Sequence, residues 1–298
     1  MPGQYRKPPL IYVTATIHTV EIPELDSNGD RELHHAMVRA GLTERRQSTT
    51  SGYNLEELTR AAQGGTSLQN VRKELTRKGF FNADHSECLI LDPNYLEYRV
   101  TKYEKYQTFI DRLAEIVRAV NSVDIIGYID VREIILTYCD AIIPVYGTEL
   151  SQYFNADSSV LPLDFIKNHQ PNDVFQAGQL QVTRVIRPNE KISIHLEQLP
   201  YDKNSTISKP TKWLTGPVIE PDPKLNMQLR PREEWVTQPR NDQYFGLLTI
   251  RASKIYQKRM ADFNVADAFA SAHEITKETF IQVINKPVCD QDWEFIDN

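Results

Sequence analysis

The sequence lacks the short motifs that identify most nucleotide-dependent and hydrolytic enzymes. It contains no GxxxxGKS/T loop for phosphate binding, and the GxGxxG, GxSxG, HExxH and protein-kinase motifs are absent as well. We therefore predict no catalytic residue, no metal site and no cofactor. These absences favour a protein that binds over one that catalyses.

Cysteines and long apolar segments are also scarce. The three cysteines, Cys88, Cys139 and Cys289, are far apart and form neither a disulfide framework nor a CxxC metal-binding pair. No apolar run approaches the roughly 20 residues that cross a bilayer, and no apolar core of a signal peptide follows the first residues. We expect a protein of the reducing cytoplasm that does not bind a membrane.

Neither sign of charge dominates the chain. It has 34 Lys and Arg residues against 40 Asp and Glu residues, a net charge of −6, so no global field attracts nucleic acid. Residues 39–78 and 244–260 are nevertheless locally basic, and the second segment interleaves cations with aromatic rings, as surfaces that bind single strands do. The nucleic-acid contacts predicted from these segments are Arg72, Lys73, Arg77, Lys78, Arg251 and Lys254.

The longest patterned stretch is residues 103–145. Its first part repeats apolar residues three and four apart up to Asn121, which predicts an amphipathic helix. Residues 124–144 are rich in β-branched and aromatic side chains, with apolar residues on both faces. This pattern predicts one long strand in the middle of a sheet that is covered on both sides.

The remaining elements follow from periodicity and turn residues. Strands are predicted at 10–22 and 244–256, and hairpins at 87–101 and 174–199. Helices are predicted at about 31–39, 54–62, 67–78, 149–154 and 264–286, with a mobile Ser/Thr-rich loop at 47–52.

Strands and helices do not alternate regularly, so the predicted class is α+β, with a largely antiparallel sheet covered by helices. We predict a single domain over residues 1–298. Hairpin, strand and helix recur in 1–145 and 146–298, which fits two similar halves, although no sequence repeat supports a duplication. Seven of the 17 prolines fall within 200–240, which predicts an extended excursion from the sheet.

Polar residues within the predicted central strand are candidates for a binding site. Arg132, Tyr138 and Asp140 would line a polar pocket, or they would be paired for structural reasons, because an isolated buried charge costs several kcal/mol. His195 and Glu197 share one strand face, which suits the wet side of a half-buried strand or an acid–base pair. A ligand-type cluster is interpreted as a solvated hairpin end: Asp84, His85, Glu87 and Cys88.

Several short motifs occur together in a fixed order. They are Tyr103-x-x-Tyr106-x-x-Phe109, then Arg132-x5-Tyr138-x-Asp140-x-Ile142-x-Pro144, then His273-x6-Phe280, and finally Trp293. Their order and spacing resemble those of a sporadically distributed prokaryotic family of uncharacterised proteins. Members often have Arg-Tyr-x-Asn in the central strand, where this chain has Thr137-Tyr138-Cys139-Asp140. The resemblance implies an accessory role beside a separately encoded effector in mobile gene cassettes, including anti-phage defence.

Two of the motif residues also have structural interpretations. His273 is expected to be a hydrogen-bonded histidine at a boundary between helix and sheet, and Trp293 is expected to pack the tail against the body.

Three functions are compatible with these features. The leading hypothesis is a non-enzymatic accessory or sensor subunit that binds a separately encoded protein, with the acidic, aromatic tail around Trp293 as a docking element. The second is nucleic-acid binding through residues 39–78 and 244–260. The third is an unrecognised metal-dependent nuclease or hydrolase that uses scattered carboxylates. Homo-oligomerisation is compatible with all three.

Overall fold

The computed structural model of the protein describes residues 3–53, 72–145, 147–155, 158, 178–200, 229–230 and 244–297. Within these residues, five α-helices pack against an antiparallel sheet of nine strands, which confirms the α+β class. A further pair of short strands, β1 and β11, forms a separate small sheet. The strands are β1 (Gly3–Tyr5), β2 (Leu10–Thr19), β3 (Glu44–Tyr53), β4 (Arg72–Phe81), β5 (Glu87–Asp92), β6 (Tyr95–Val100), β7 (Asp130–Ile142), β8 (Gly178–Arg187), β9 (Glu190–Pro200), β10 (Tyr244–Arg259) and β11 (Phe295–Asp297). The helices are α1 (Ser27–Arg39), α2 (Tyr106–Asn121), α3 (Asp124–Gly127), α4 (Val265–Val283) and α5 (Lys286–Asp292).

Strand β7 lies well inside the large sheet, whose strand order is β3-β4-β5-β6-β2-β7-β10-β9-β8. It pairs with β2 on one side and β10 on the other, so that Leu136 lies between Ala15 and Ala252. The predicted long central strand is confirmed. It begins at Asp130 rather than at residue 124, because Asp124–Gly127 forms the single helical turn α3.

The alternation of side chains along the strands divides the sheet into two faces. The helix face, which includes Ala15, Leu136 and Ala252, is covered by α1, α2 and α4. The opposite side, here called the outer face, carries the polar row Thr14, Thr137 and Arg251 in its middle. One end of the outer face is apolar and buried, so the prediction of a doubly covered sheet holds there. Its buried residues include Ile11, Phe81, Cys88, Ile90, Cys139, Leu229, Phe245 and Leu247.

The helices form where the sequence supplies caps and an apolar stripe. The Asp26 carboxylate accepts a hydrogen bond from the Gly29 backbone N–H at 2.7 Å, so α1 begins at Ser27, a turn earlier than predicted. Asn264 caps α4 in the same way through the Asp267 N–H, where this helix start was predicted. Helix α2 buries the apolar residues that were spaced three and four apart: Phe109, Ile110, Leu113, Ile116, Val117 and Val120.

The predictions of a loop at 47–52 and a helix over 67–78 were wrong for the described residues. Strands β3 and β4 form an antiparallel hairpin in which Thr49 pairs with Thr76. Pairing of β4 with β5 places Phe80 and Phe81 in the two apolar clusters on opposite faces of the sheet. Burial of these rings and cross-strand pairing override the local helical pattern. The predicted helix at 54–62 lies outside the described residues.

The N-terminal and C-terminal parts of the chain share one sheet, joined where β7 pairs with β10. The proline-rich segment 200–240 lies outside the described residues except for Leu229 and Arg230. There, the Arg230 N–H donates to the His85 carbonyl at 2.9 Å, and the Thr101 hydroxyl donates to the Arg230 carbonyl at 2.7 Å. Among the described helices, none is long and apolar enough to cross a membrane.

Close packing around Gly246 in β10 generates a first prediction. A Cβ atom at this position would lie 3.3 Å from Leu150 Cδ1 and 3.6 Å from Phe154 Cζ, and both neighbours are buried. We expect Gly246→Ala to lower the free energy of unfolding by about 1 kcal/mol, because the enclosed side chains must shift. Urea unfolding measures this change.

Gly127→Ala is the matched control for this substitution. At Gly127 the nearest atom would lie 3.8 Å away, at an ordinary contact distance, so this variant should unfold like the wild type. Equal stability of the two variants would contradict the prediction.

Candidate functional site

The three residues of the predicted polar pocket do not come together. Arg132 is exposed near the start of β7, whereas Tyr138 is half-buried and Asp140 is buried towards its end. Because a strand rises about 3.3 Å per residue, Arg132 lies roughly 20 Å from Tyr138. The pocket of Arg132, Tyr138 and Asp140 is therefore not formed, since alternation places residues on one face without bringing them close.

Tyr138 belongs instead to an aromatic cluster between the sheet and α4. Its hydroxyl lies 3.0 Å from Nδ1 of His273, whose ring stacks on Tyr106 with the centroids 3.7 Å apart. Tyr103 packs edge-on against Tyr138. Burial lowers the pKa of His273 to about 4, so its imidazole is neutral at physiological pH. The predicted hydrogen-bonded histidine at the boundary between helix and sheet is confirmed.

Asp140 is a buried carboxyl group in an apolar part of the helix face. The residue is 4% exposed and lies in register between Leu10 and Leu248. Neither a hydrogen bond nor an ion pair joins its carboxyl group to another described residue. Burial raises the pKa of Asp140 to about 8, so this group holds a proton near neutral pH. The arrangement can bind and release a proton, but it offers no second group for acid–base chemistry.

Several of the predicted nucleic-acid contacts are neutralised within the chain. The ion pairs are Lys78 Nζ to Asp30 Oδ1 at 2.6 Å, Arg77 Nε to Asp92 Oδ2 at 3.1 Å, and Lys254 Nζ to Oε1 of the buried Glu190 at 3.1 Å. Arg72 and Lys73 lie in β4, but their side chains are outside the described part of the structure. Arg251 is exposed, and no ion pair joins it to a described residue. The excess of Lys and Arg in residues 39–78 and 244–260 therefore overstates the positive charge that is free to bind nucleic acid.

The predicted basic contacts also point in different directions. Arg251 lies on the outer face, whereas Lys254 lies on the helix face, where its amine is 3.3 Å from the Ser271 hydroxyl of α4. Arg77 and Lys78 are likewise adjacent in β4 and project to opposite faces. These four residues therefore do not form one basic surface.

The outer face of β8, β9 and β10 is polar and partly open to solvent. One row across these strands consists of Arg251, Ser193 and Thr183. His195 and Glu197 share this face, as expected, with Nδ1 and Oε1 3.5 Å apart and side chains that are 34% and 23% exposed. The side chains of this pair are partly open to solvent, and the hydroxyl of Thr249, which lies opposite His195, donates to the buried Cys139 thiol at 3.5 Å.

Strand β8 forms one edge of the large sheet. Among the described strands, β9 is its single neighbour. Val185 is 73% exposed and Ile186 is 38% exposed, although both are large apolar residues in a strand. The sequence predicted this hairpin, but the edge position depends on the order of all nine strands and carries no local signal.

The acidic, aromatic tail is occupied within the chain. Trp293 is 6% exposed and packs against the rings of Tyr153 and Phe280, and the Tyr153 hydroxyl donates to Asp292 at 2.6 Å. Strand β11 then pairs with β1. Packing of the tail by Trp293 is confirmed, and it leaves this ring buried; docking of a partner on the tail stays a prediction.

The described residues contain no group of three side chains that could hold a metal ion. The ligand-type side chains at the start of the β5–β6 hairpin do not converge on one point. Cys88 is buried in the outer-face cluster, Glu87 pairs with Arg112, and His85 contacts Glu44. The cluster interpreted as a solvated hairpin end is therefore held by separate local contacts.

Asp140 generates a prediction about pH and stability. Its folded-state pKa, raised from 3.8 to about 8, lets the folded protein keep a proton that the unfolded chain has released. Stability therefore falls as pH rises through this window, whereas the lowered pKa of His273 acts in the opposite direction below pH 6.5. Between pH 6.5 and 8 we expect the ionisation of Asp140 to lower the free energy of unfolding by about 2 kcal/mol.

Urea unfolding at several pH values tests this slope. Asp140→Asn should remove it and stabilise the protein at pH 8, because the amide cannot ionise. Asp124→Asn, at an exposed position in α3, is the control and should keep the wild-type slope. An unchanged slope in Asp140→Asn would contradict the role given to this carboxyl group.

Comparisons of the chain with protein-family models, with curated proteins and with solved structures give no match. The resemblance to a prokaryotic family therefore stays a prediction.

Proposed function

We propose that this protein is a non-enzymatic accessory subunit that binds a separately encoded protein through the edge strand β8. The observation that carries the proposal is the exposure of β8, a ten-residue strand at the edge of the large sheet. The outward backbone N–H and C=O groups of an edge strand are a template for an added strand. An extended segment of the partner would continue the antiparallel sheet beyond β8.

The side chains of β8 favour the interpretation that this edge strand binds a partner. Natural proteins protect exposed edges with charges, prolines or bulges. At the other edge, β3 reads ERRQSTTSGY and is almost wholly polar. Strand β8 reads GQLQVTRVIR, and its bulge lies near its end, after Val185. Residues 178–185 of β8 therefore form a regular edge, in which Leu180 and Val182 pack partly against the core and Val185 is exposed.

Charge indicates what kind of segment would add to β8. Arg184 and Arg187 lie in the strand, and residues 178–189 contain no acidic side chain, in a chain of net charge −6. A second copy of β8 would bring the same cations and no carboxylate. Arg187 pairs with the buried Glu190 at 2.6 Å, so an extended segment that alternates acidic and apolar residues would complement Arg184 and the exposed Val185. We therefore assign a partner of that chemistry.

An accessory role rests on further support from the sequence and the fold. Motifs for nucleotide hydrolysis and for metal proteases are absent from the sequence, and the described carboxylates do not group into a metal site. The family resemblance suggests a setting, a multi-gene defence cassette in which a separate effector carries the activity. In that setting β8 would join the two proteins.

The test is binding of the chain to extended segments selected from a random peptide library. Arg184→Glu combined with Val185→Glu should weaken the selected segments at least tenfold, about 1.4 kcal/mol, because it repels acidic residues and removes apolar contact. Arg31→Glu, which reverses the charge of one arginine at an exposed site in α1, should bind like the wild type. Fluorescence anisotropy gives the dissociation constants.

Hydrogen exchange then locates the bound segment. The amides of β8 should exchange more slowly in the complex, because their outward N–H groups become hydrogen-bonded. Unchanged exchange in β8, or equal affinity of the wild type and the β8 variant, would overturn the proposal. A partner purified from the native host must show the same dependence on β8.

A further inference from the structure

Arg251 has no charged residue directly opposite it in the sheet; the nearest charge on β9 is its diagonal neighbour Lys191, which pairs with Glu133. Arg251 is exposed on the outer face of β10, and its cross-strand neighbours are Thr137 of β7 and Ser193 of β9. Along β10, the next residues on the same face are Thr249 and Ser253. A single guanidinium is therefore bordered on four sides by hydroxyl groups.

These hydroxyl groups are close enough to act together with the guanidinium. Directly opposed residues in antiparallel strands have Cβ atoms about 4.5–5.5 Å apart. The row continues into β8, where the Thr183 hydroxyl lies 3.0 Å from the Ser193 hydroxyl. Hydroxyl groups rotate to donate to whatever acceptor is present. The surface thus combines one exposed cation with several hydroxyl groups, of which that of Thr249 donates to the Cys139 thiol at 3.5 Å.

None of these four neighbours of Arg251 carries a carboxylate. The nearest acidic residues on the outer faces of β7 and β9 are Glu133 and Glu197, each four positions from the neighbour of Arg251, or roughly 13 Å along its strand. Each has a partner of its own, Lys191 at 3.6 Å and His195 at 3.5 Å. Arg77, by contrast, lies on the outer face with Asp92 beside it. No ion pair or hydrogen bond joins Arg251 to a described residue.

We propose that the Arg251 surface, formed by Arg251, Thr137, Ser193, Thr249 and Ser253, binds the phosphoryl group of a small ligand. The guanidinium fork matches two oxygens of a tetrahedral oxyanion, and hydroxyl groups donate to the others. A nucleic-acid strand fits less well, because it requires several cations and stacked rings, and none of these neighbours is aromatic. The site is independent of strand addition at β8.

The test measures binding of inorganic phosphate and of glycerol phosphate by phosphorus NMR. Arg251→Gln should weaken both at least tenfold, because a hydrogen bond between charged groups is lost. Arg132→Gln is the matched control: it removes an exposed arginine from the adjacent strand, five residues from Thr137 or roughly 16 Å along β7. Its affinity for phosphate should stay within twofold of the wild type.

A second variant tests whether the hydroxyl groups contribute to phosphate binding or whether Arg251 binds phosphate by itself. Thr137→Val keeps the shape of the side chain, removes one hydroxyl, and should weaken phosphate about three- to tenfold. Thermal unfolding confirms that each variant is folded. Phosphate that does not bind up to its solubility limit, or that loses equal affinity in Arg251→Gln and Arg132→Gln, overturns the proposal.

The last measurement is binding of a single-stranded thymidine oligonucleotide. Weak binding that does not exceed the affinity for phosphate supports a site for one phosphoryl group. Tighter binding with a steep salt dependence would overturn the small-ligand assignment in favour of a surface for a nucleic-acid strand.

Discussion

The pairing of β7 with β2 and β10 is the constraint on which the rest of the structure depends. These strands come from the beginning, middle and end of the chain, yet each satisfies the backbone groups of its neighbour over most of its length. The helix face of β7 presents Ile134, Leu136 and Ile142, and α2 and α4 bury their apolar stripes on that side of the sheet. Once these three strands are aligned, the hairpins on either side extend one continuous sheet.

The same central strand holds a buried carboxyl group that no hydrogen bond or ion pair joins to another described residue. Asp140 lies between Tyr138, which packs with the cluster under α2, and Ile142, which packs with the cluster under α4 and α5. A carboxyl group without a partner at this junction opposes folding when it is ionised and is tolerated when it is protonated. The central strand therefore couples the stability of both apolar clusters to one proton.

The outer face shows a contrast between its two ends. Towards β4 and β6 its charges are compensated, with Arg77 beside Asp92 and Arg99 beside Glu97. Towards β8, Lys191 pairs with Glu133 and His195 with Glu197, whereas Arg251 has hydroxyl neighbours, and β8 ends the sheet among the described strands. The two proposals draw on different chemistry from this end, since strand addition uses backbone groups at the edge and phosphate binding uses side chains on the face. Polar groups that have no partner within the fold can form favourable contacts with a ligand or with another protein.

The sequence by itself determined the elements whose signals are local. Period-two alternation, short turns and capping side chains were enough for the hairpin of β5 and β6, the helices α2 and α4, and the central strand. It also placed His195 beside Glu197, because residues two apart in a strand share a face. Only the tertiary structure determined that β3 and β4 are strands, because pairing and the burial of Phe80 and Phe81 outweigh the local pattern. It also neutralised Lys78 with an aspartate 48 residues away and separated Arg132 from Asp140. Charges and edges depend on which strands become neighbours, and a single sequence does not carry that order, because contacts between distant segments are set by the packing of the whole core.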